Sequence, residues 1–137
     1  MKKKFLILIV IGLCLCGCTN VKKLSNDQII GTLSEKSGHI NIYRTGYKYS
    51  LPRGMQVENY SLYNETLTNE KEIFYLYVDM VSYYNKTSVN YKISDSSYYS
   101  KTISYNDIDG YVEINLKENN KYLIEIMYNY AKIEVMV

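Results

Sequence analysis

The fold turns on residues 111–128: Tyr111-Val112-Glu113-Ile114-Asn115-Leu116-Lys117, then Glu118-Asn119-Asn120, then Lys121-Tyr122-Leu123-Ile124-Glu125-Ile126-Met127-Tyr128. Apolar and polar residues alternate on either side of a short polar break, the pattern of two strands joined by a tight loop. The register follows from what each choice buries. A two-residue loop at Asn119-Asn120 sets Ile114 opposite Glu125. A three-residue loop, Glu118 to Asn120, sets Val112, Ile114 and Leu116 opposite Ile126, Ile124 and Tyr122. A slip of one residue turns a whole strand over, so the second register, which buries more, is expected. Asn120 suits it, because such a loop needs a residue in the left-handed region and Asn tolerates that. The consequence lies on the other face, where Glu113 then meets Glu125 directly across the ladder.

Outward from this hairpin the period of two recurs. Glu72 to Tyr84 reads as one strand, with Phe74, Leu76, Val78 and Met80 on one face and Ile73, Tyr75, Tyr77, Asp79 and Val81 on the other. Both faces are largely apolar, which predicts a central position in the sheet. Tyr43 to Leu51 reads as a strand with a bulge at Gly46, and Leu51-Pro52-Arg53-Gly54 as a type I turn. Met55 to Leu62 and Tyr98 to Tyr105 are further strands, and Tyr63 to Thr68 reads as strand or helix, with strand preferred. Asn85 to Ser97 is a polar loop with room for a short strand at Val89–Ile93. Asp109-Gly110 marks a turn, and Lys132 to Val137 continues the last strand past a bend at Asn129-Tyr130. At the other end, Ser25-Asn26-Asp27 offers helix caps, and Ile29, Ile30 and Leu33 follow at helical spacing, with Gly38 as a stop. A helix over Asn26–Lys36 is expected, so the fold class predicted is α+β. One N-terminal helix packs on a mainly antiparallel sheet of five to seven strands, within a single domain from residue 25 to residue 137.

The first 18 residues carry a different kind of signal. Lys2, Lys3 and Lys4 precede an apolar run of 12 residues, Phe5 to Cys16, broken only by Gly12. That run is short for a spanning helix, which needs about 20 residues. Leu15-Cys16-Gly17-Cys18 follows at once. This resembles the lipobox of bacterial lipoproteins: Leu at −3, a small residue at −1 and the modified Cys at +1, with Cys16 at −2 a departure from the usual Ala or Ser. The resemblance implies that residues 1–17 are a signal peptide and that Cys18 receives a diacylglycerol thioether and becomes the mature N-terminus. It also implies export, with palmitate-type acylation holding the domain on the extracytoplasmic side of the bacterial cell membrane. Two buried acyl chains anchor a protein stably where one does so only marginally. Residues 18–24, the lipidated Cys and a short tether, keep the domain close to that membrane, since six linker residues reach at most about 20 Å.

Composition takes its meaning from that leader. The 137 residues carry a net charge of +2. Removal of the first 17 leaves 120 residues, with 13 Lys and Arg against 14 acidic residues, a charge near −1. The basic footprint of a nucleic-acid binder is absent. Cys14 and Cys16 leave with the leader and Cys18 is blocked, which excludes a disulfide, a Cys-ligated metal or a thiol nucleophile from the mature domain. Tyr occurs 17 times, Trp not at all, Pro once and Ala only at Ala131. Such usage fits an A- and T-rich genome and favours strand over helix. A surface of aromatic rings is the second reading, and the clusters Tyr75/Tyr77, Tyr83-Tyr84 and Tyr98-Tyr99 are read first as core filling and second as contact rings for sugar, peptide or protein.

Candidate chemistry is sparse. Glu113 opposite Glu125 is the sharpest constellation, because like charges across a ladder are unfavourable unless solvated, bridged by Lys or put to use. Paired carboxylates share a proton, bind a hard cation or cleave a glycoside, and Asp79 joins them if its strand is a neighbour. The plainer alternative is a wet sheet face with Lys117 or Lys132 alongside. His39, the only His, ends the expected helix with no Ser elbow or acid partner apparent. With no P-loop, dinucleotide fingerprint or zinc spacing, neither cofactor nor metal is expected. The expectation is a membrane-anchored lipoprotein serving as a non-catalytic binding or assembly module at the cell envelope, toward an envelope protein or a glycan. The alternative is an enzyme acting on cell-wall or glycan substrate through Glu113, Glu125 and Asp79.

Overall fold

The computed structural model describes residues 31–32, 38–88, 91–92 and 94–137. The leader with Cys18, the tether, and Val89, Asn90 and Ile93 lie outside them. So does the expected helix over Asn26–Lys36, apart from Gly31 and Thr32, both exposed.

Among the described residues nine antiparallel strands form two sheets. A small one pairs β1 (Ile42–Tyr43) with β2 (Lys48–Tyr49). The large one holds β3 (Gln56–Ser61), β4 (Asn64–Thr68), β5 (Ile73–Val78), β6 (Tyr99–Tyr105), β7 (Ile108–Leu116), β8 (Tyr122–Tyr128) and β9 (Ala131–Met136), in the order β3-β4-β5-β9-β8-β7-β6. Two meanders, β3-β4-β5 and β6-β7-β8-β9, therefore meet where β9 pairs with β5. The α+β expectation is corrected: the chain is mostly β, and among the described residues no helix reaches seven residues. The one helix labelled here is α1 (Met80–Asn85).

The register of the opening hairpin is the one that buries more. Val112, Ile114 and Leu116 stand opposite Ile126, Ile124 and Tyr122, and Glu113 stands opposite Glu125. The loop is closed by Lys117 and Lys121, with both Asn119 and Asn120 at positive φ. On the aliphatic face, Ile103, Val112 and Ile114 form the buried cluster, with Tyr99, Tyr122, Ile124 and Tyr128 packed around it. Along β7, Tyr111 and Glu113 are buried on one face as Val112 and Ile114 are on the other.

Other boundaries differ from the sequence reading, each for a local reason. The strand expected over Glu72–Tyr84 ends at Val78, because Asp79 caps a helix: its carboxylate accepts from the Ser82 amide at 3.0 Å and the Ser82 hydroxyl at 2.7 Å. The strand is interior, between β4 and β9, yet one face is open, with Ile73, Tyr75 and Tyr77 exposed. The strand expected over Tyr43–Leu51 is a miniature hairpin, turned at Gly46 with φ +92°. The Pro turn is shifted by one residue, since Met55 donates to the Pro52 carbonyl and Gly54 takes φ +89°. Asp109-Gly110 is strand, not turn; the reversal falls at Asn106-Asp107, where both residues adopt positive φ. Asn129-Tyr130 is a hairpin rather than a bend, so β9 returns alongside β8.

Candidate functional site

Pairing places Asn59, Thr66, Tyr75, Glu134, Glu125, Glu113 and Ser100 in one cross-strand row on one face of the large sheet. The next row on that face runs through Ser61, Asn64, Tyr77, Lys132, Met127, Tyr111 and Thr102. Glu113 and Glu125 are thus brought together as their spacing implied. The third carboxylate of the row is Glu134, not Asp79, which is occupied as the cap of α1.

The charge of the glutamate row is tied down by tyrosine and lysine. Tyr91 lies flat on Tyr111, ring centroids 3.6 Å apart, and donates its hydroxyl to Glu113 at 2.7 Å. The Tyr111 hydroxyl donates to Glu125. Lys132 bonds Glu134 at 2.6 Å and reaches Glu125 at 3.6 Å. Burial alone would lower the Lys132 pKa, but Glu134 and Glu125 outweigh it and raise it. The same bond from Lys132 holds the Glu134 carboxyl below its ordinary range. Burial, reinforced by Glu113, pushes the Tyr91 hydroxyl well up, and burial with Glu125 does the same to Tyr111. One oxygen of Glu113, Oε1, is buried with no hydrogen-bond partner. Among the described residues, no three His, Cys, Asp or Glu side chains gather to hold a metal ion.

Beside this row, toward β3, the face opens into a groove of about 410 Å³ lined by Asn59, Asn64, Thr66, Tyr75, Tyr77, Lys132 and Glu134, among others. Tyr75 is 55% exposed and Tyr77 39%. Neither Glu113 nor Glu125 lines it.

A second polar cluster, on the opposite face, was not foreseen. Glu65 of β4 is 3% exposed. It accepts from Arg44 Nε at 3.1 Å, Arg44 Nη2 at 2.9 Å, the Tyr47 hydroxyl at 2.8 Å and the Tyr49 hydroxyl at 2.7 Å. Burial would raise its pKa; the bonds from Tyr49, Tyr47 and Arg44 overcome that and hold the carboxyl below its ordinary range. Burial and Glu65 push Tyr47 up to about 12. The Arg44 guanidinium also lies 4.2 Å from the Tyr60 ring centre. These contacts fasten the β1–β2 hairpin to the sheet, a structural role rather than an open site.

The remaining candidates are dispersed. His39 is exposed. Tyr83 and Tyr84 sit on α1, both exposed, and Tyr83 meets Tyr130 edge-on. Tyr98 packs edge-on against Tyr122. Lys132, not Lys117, is the cation beside the carboxylates. The sequence pattern singles out none of Arg44, Tyr47, Tyr49, Glu65, Tyr91 and Glu134 as a site residue, and the alternation Lys132-x-Glu134 is the available signal for the last.

What fold and face define is an antiparallel β-sheet domain with a polar, tyrosine-bearing groove on one side. Comparison with protein-family models, curated proteins and solved structures finds no match for the chain.

Proposed function

We propose that the chain is a bacterial lipoprotein, exported and held at the extracytoplasmic face of the cell membrane by a diacylglycerol on Cys18. In this reading its β domain is a non-catalytic binding module of the envelope. The lipobox Leu15-Cys16-Gly17-Cys18 supports the anchor. The groove carries the binding reading: exposed rings of Tyr75 and Tyr77 stand among polar side chains on a rigid sheet face. Sites of this kind combine a concave surface with a few placed polar groups.

Hydrolysis is the less supported reading. A glycosidase needs two carboxylates open to the bond between them. Here Glu113 is buried beneath Tyr91, and Glu125 is engaged by Tyr111 and Lys132.

A photo-reactive phenylalanine analogue replacing Tyr75 in the anchored protein tests the binding face. It is expected to capture an envelope component that the same analogue at Leu116, exposed on the opposite face, does not. Equal capture at both positions, or none at Tyr75, removes the reading. For the anchor, Cys18→Ser is expected to release unlipidated protein, and continued uptake of labelled lipid would sink it.

A further inference from the structure

We infer that the groove over β3, β4 and β5 takes an uncharged glycan chain, an inference that rests on this face being the ligand surface. Three properties of the groove converge on that chemistry.

The first is its rings. Tyr75 and Tyr77 alternate along β5, so they share a face and stand about 7 Å apart. Each ring face is an electron-rich apolar plate. Its natural complement is the C–H-lined face of a pyranose, whose axial hydrogens carry slight positive charge. Two plates in line along one strand suit consecutive units of a chain.

The second is hydrogen bonding. Among the described residues, the side-chain amides of Asn59 and Asn64 and the hydroxyls of Thr66, Tyr75 and Tyr77 make no hydrogen bond to the protein. Amides and hydroxyls both donate and accept, as sugar hydroxyls do. A sheet face that leaves such groups unspent around two bare rings matches a ligand that is apolar on its faces and polar at its rim.

The third is charge. The cation of the groove, Lys132, is already held by Glu134 at 2.6 Å and by Glu125 at 3.6 Å. Among the described residues lining the groove no positive charge is left over for a phosphate, sulfate or uronate, and the adjoining row of glutamates repels them. An acidic glycan would meet that repulsion, whereas an uncharged one does not.

A peptide fits less well. Strand addition uses the free backbone of a sheet edge, and here the edge strand β3 is broken by a bulge between Val57 and Asn59. Side-chain docking of a protein requires a desolvated apolar anchor pocket, whereas this groove sets the rings of Tyr75 and Tyr77 among amides and hydroxyls.

The test is calorimetric titration of the full chain, in zwitterionic micelles free of sugar detergent, with an N-acetylglucosamine hexasaccharide and with cellohexaose. Binding of one or both is expected; the first alone points to wall-type glycan, the second alone to unsubstituted hexose polymers. Tyr75→Ala and Tyr77→Ala are each expected to weaken binding roughly tenfold, the equivalent of about 1.4 kcal/mol. Tyr75→Phe, which keeps the plate, retains most of it. Thermal unfolding, measured in parallel, should be unchanged in Tyr75→Phe and shift only modestly in the two Ala variants, each remaining folded at the titration temperature. If neither oligosaccharide binds while the crosslinker at Tyr75 still captures an envelope component, the face is right and the ligand class is wrong. Capture of a protein there, or binding indifferent to Tyr75→Ala, also overturns the inference. If crosslinking is silent as well, the underlying reading of the face falls with it.

Discussion

Glu65→Gln removes one formal charge from a carboxylate that four donors surround. In the folded chain, Arg44 supplies two of those donors and Tyr47 and Tyr49 one each. The glutamine carbonyl still accepts from the donors nearest it, but the new amide group is itself a donor and faces the others. About two charge-assisted bonds are lost, each worth roughly 1.5–3 kcal/mol. Breaking a buried ion pair costs about 3–5 kcal/mol by a separate route. The Arg44 side chain is 20% exposed and can recover some hydration, which places the cost near the lower end, about 3 kcal/mol. Amide hydrogen exchange locates that cost. Protection should collapse in the β1–β2 hairpin, at the Asn41 and Arg44 amides that bond Tyr49 and Tyr47, while the β7–β8 amides hold. Urea unfolding at neutral pH gives the global share. The pH dependence has a definite sign. Folding holds the Glu65 carboxyl below its ordinary range, so its contribution is full above the unfolded value, about pH 4.3, and is lost as the pH falls through the lower folded value. Wild type should therefore show an acid-labile increment that Glu65→Gln lacks. A variant within about 0.5 kcal/mol of wild type at neutral pH, with the hairpin still protected, would refute the reasoning, because surface substitutions behave that way.

Two further substitutions probe the frame that holds the groove. Gly110→Ala should cost about 2 kcal/mol in urea unfolding, because its Cβ meets the Met127 carbonyl oxygen head-on and the Tyr128 Cα at 3.0 Å, both backbone atoms; an unchanged midpoint would show the strands further apart than described. Asp79→Ala should cost about 1 kcal/mol, read as faster exchange at the Ser82 amide. The bonds from the Ser82 amide and hydroxyl hold the Asp79 carboxyl low, so the cap is complete above the ordinary Asp range and fades as the pH falls through the folded value. A Ser82 amide exchanging at the wild-type rate would contradict the cap.

The hairpin register was legible because a single slip would have turned every aliphatic residue of one strand to the opposite face; no distant contact was needed to settle it. The turn at Asn106-Asp107 was not, because two non-glycine residues accept positive φ there, while the more conspicuous Gly110 serves close strand approach instead. Asp79 followed by Ser82 was a readable cap, overruled by the apolar alternation on either side. Glu65 could not have been found: its partners lie 16 to 21 residues away in a hairpin whose strands are two residues each. Glu134 joined the carboxylate row only once β9 was known to turn back on β8, a fact that rests on Asn129 entering the left-handed region.

That same strand decides when this sheet can exist. β9 comes after the other described strands in sequence, yet it lies between β5 and β8 and joins them. Without its pairings the sheet would divide into two unconnected meanders, each with an open inner edge. Pairing Phe74 with Val135 closes a long loop, the kind of contact that forms slowly. One strand thus turns two halves into a single sheet, so a change that unpairs β9 would unseat both neighbours at once rather than fray one edge.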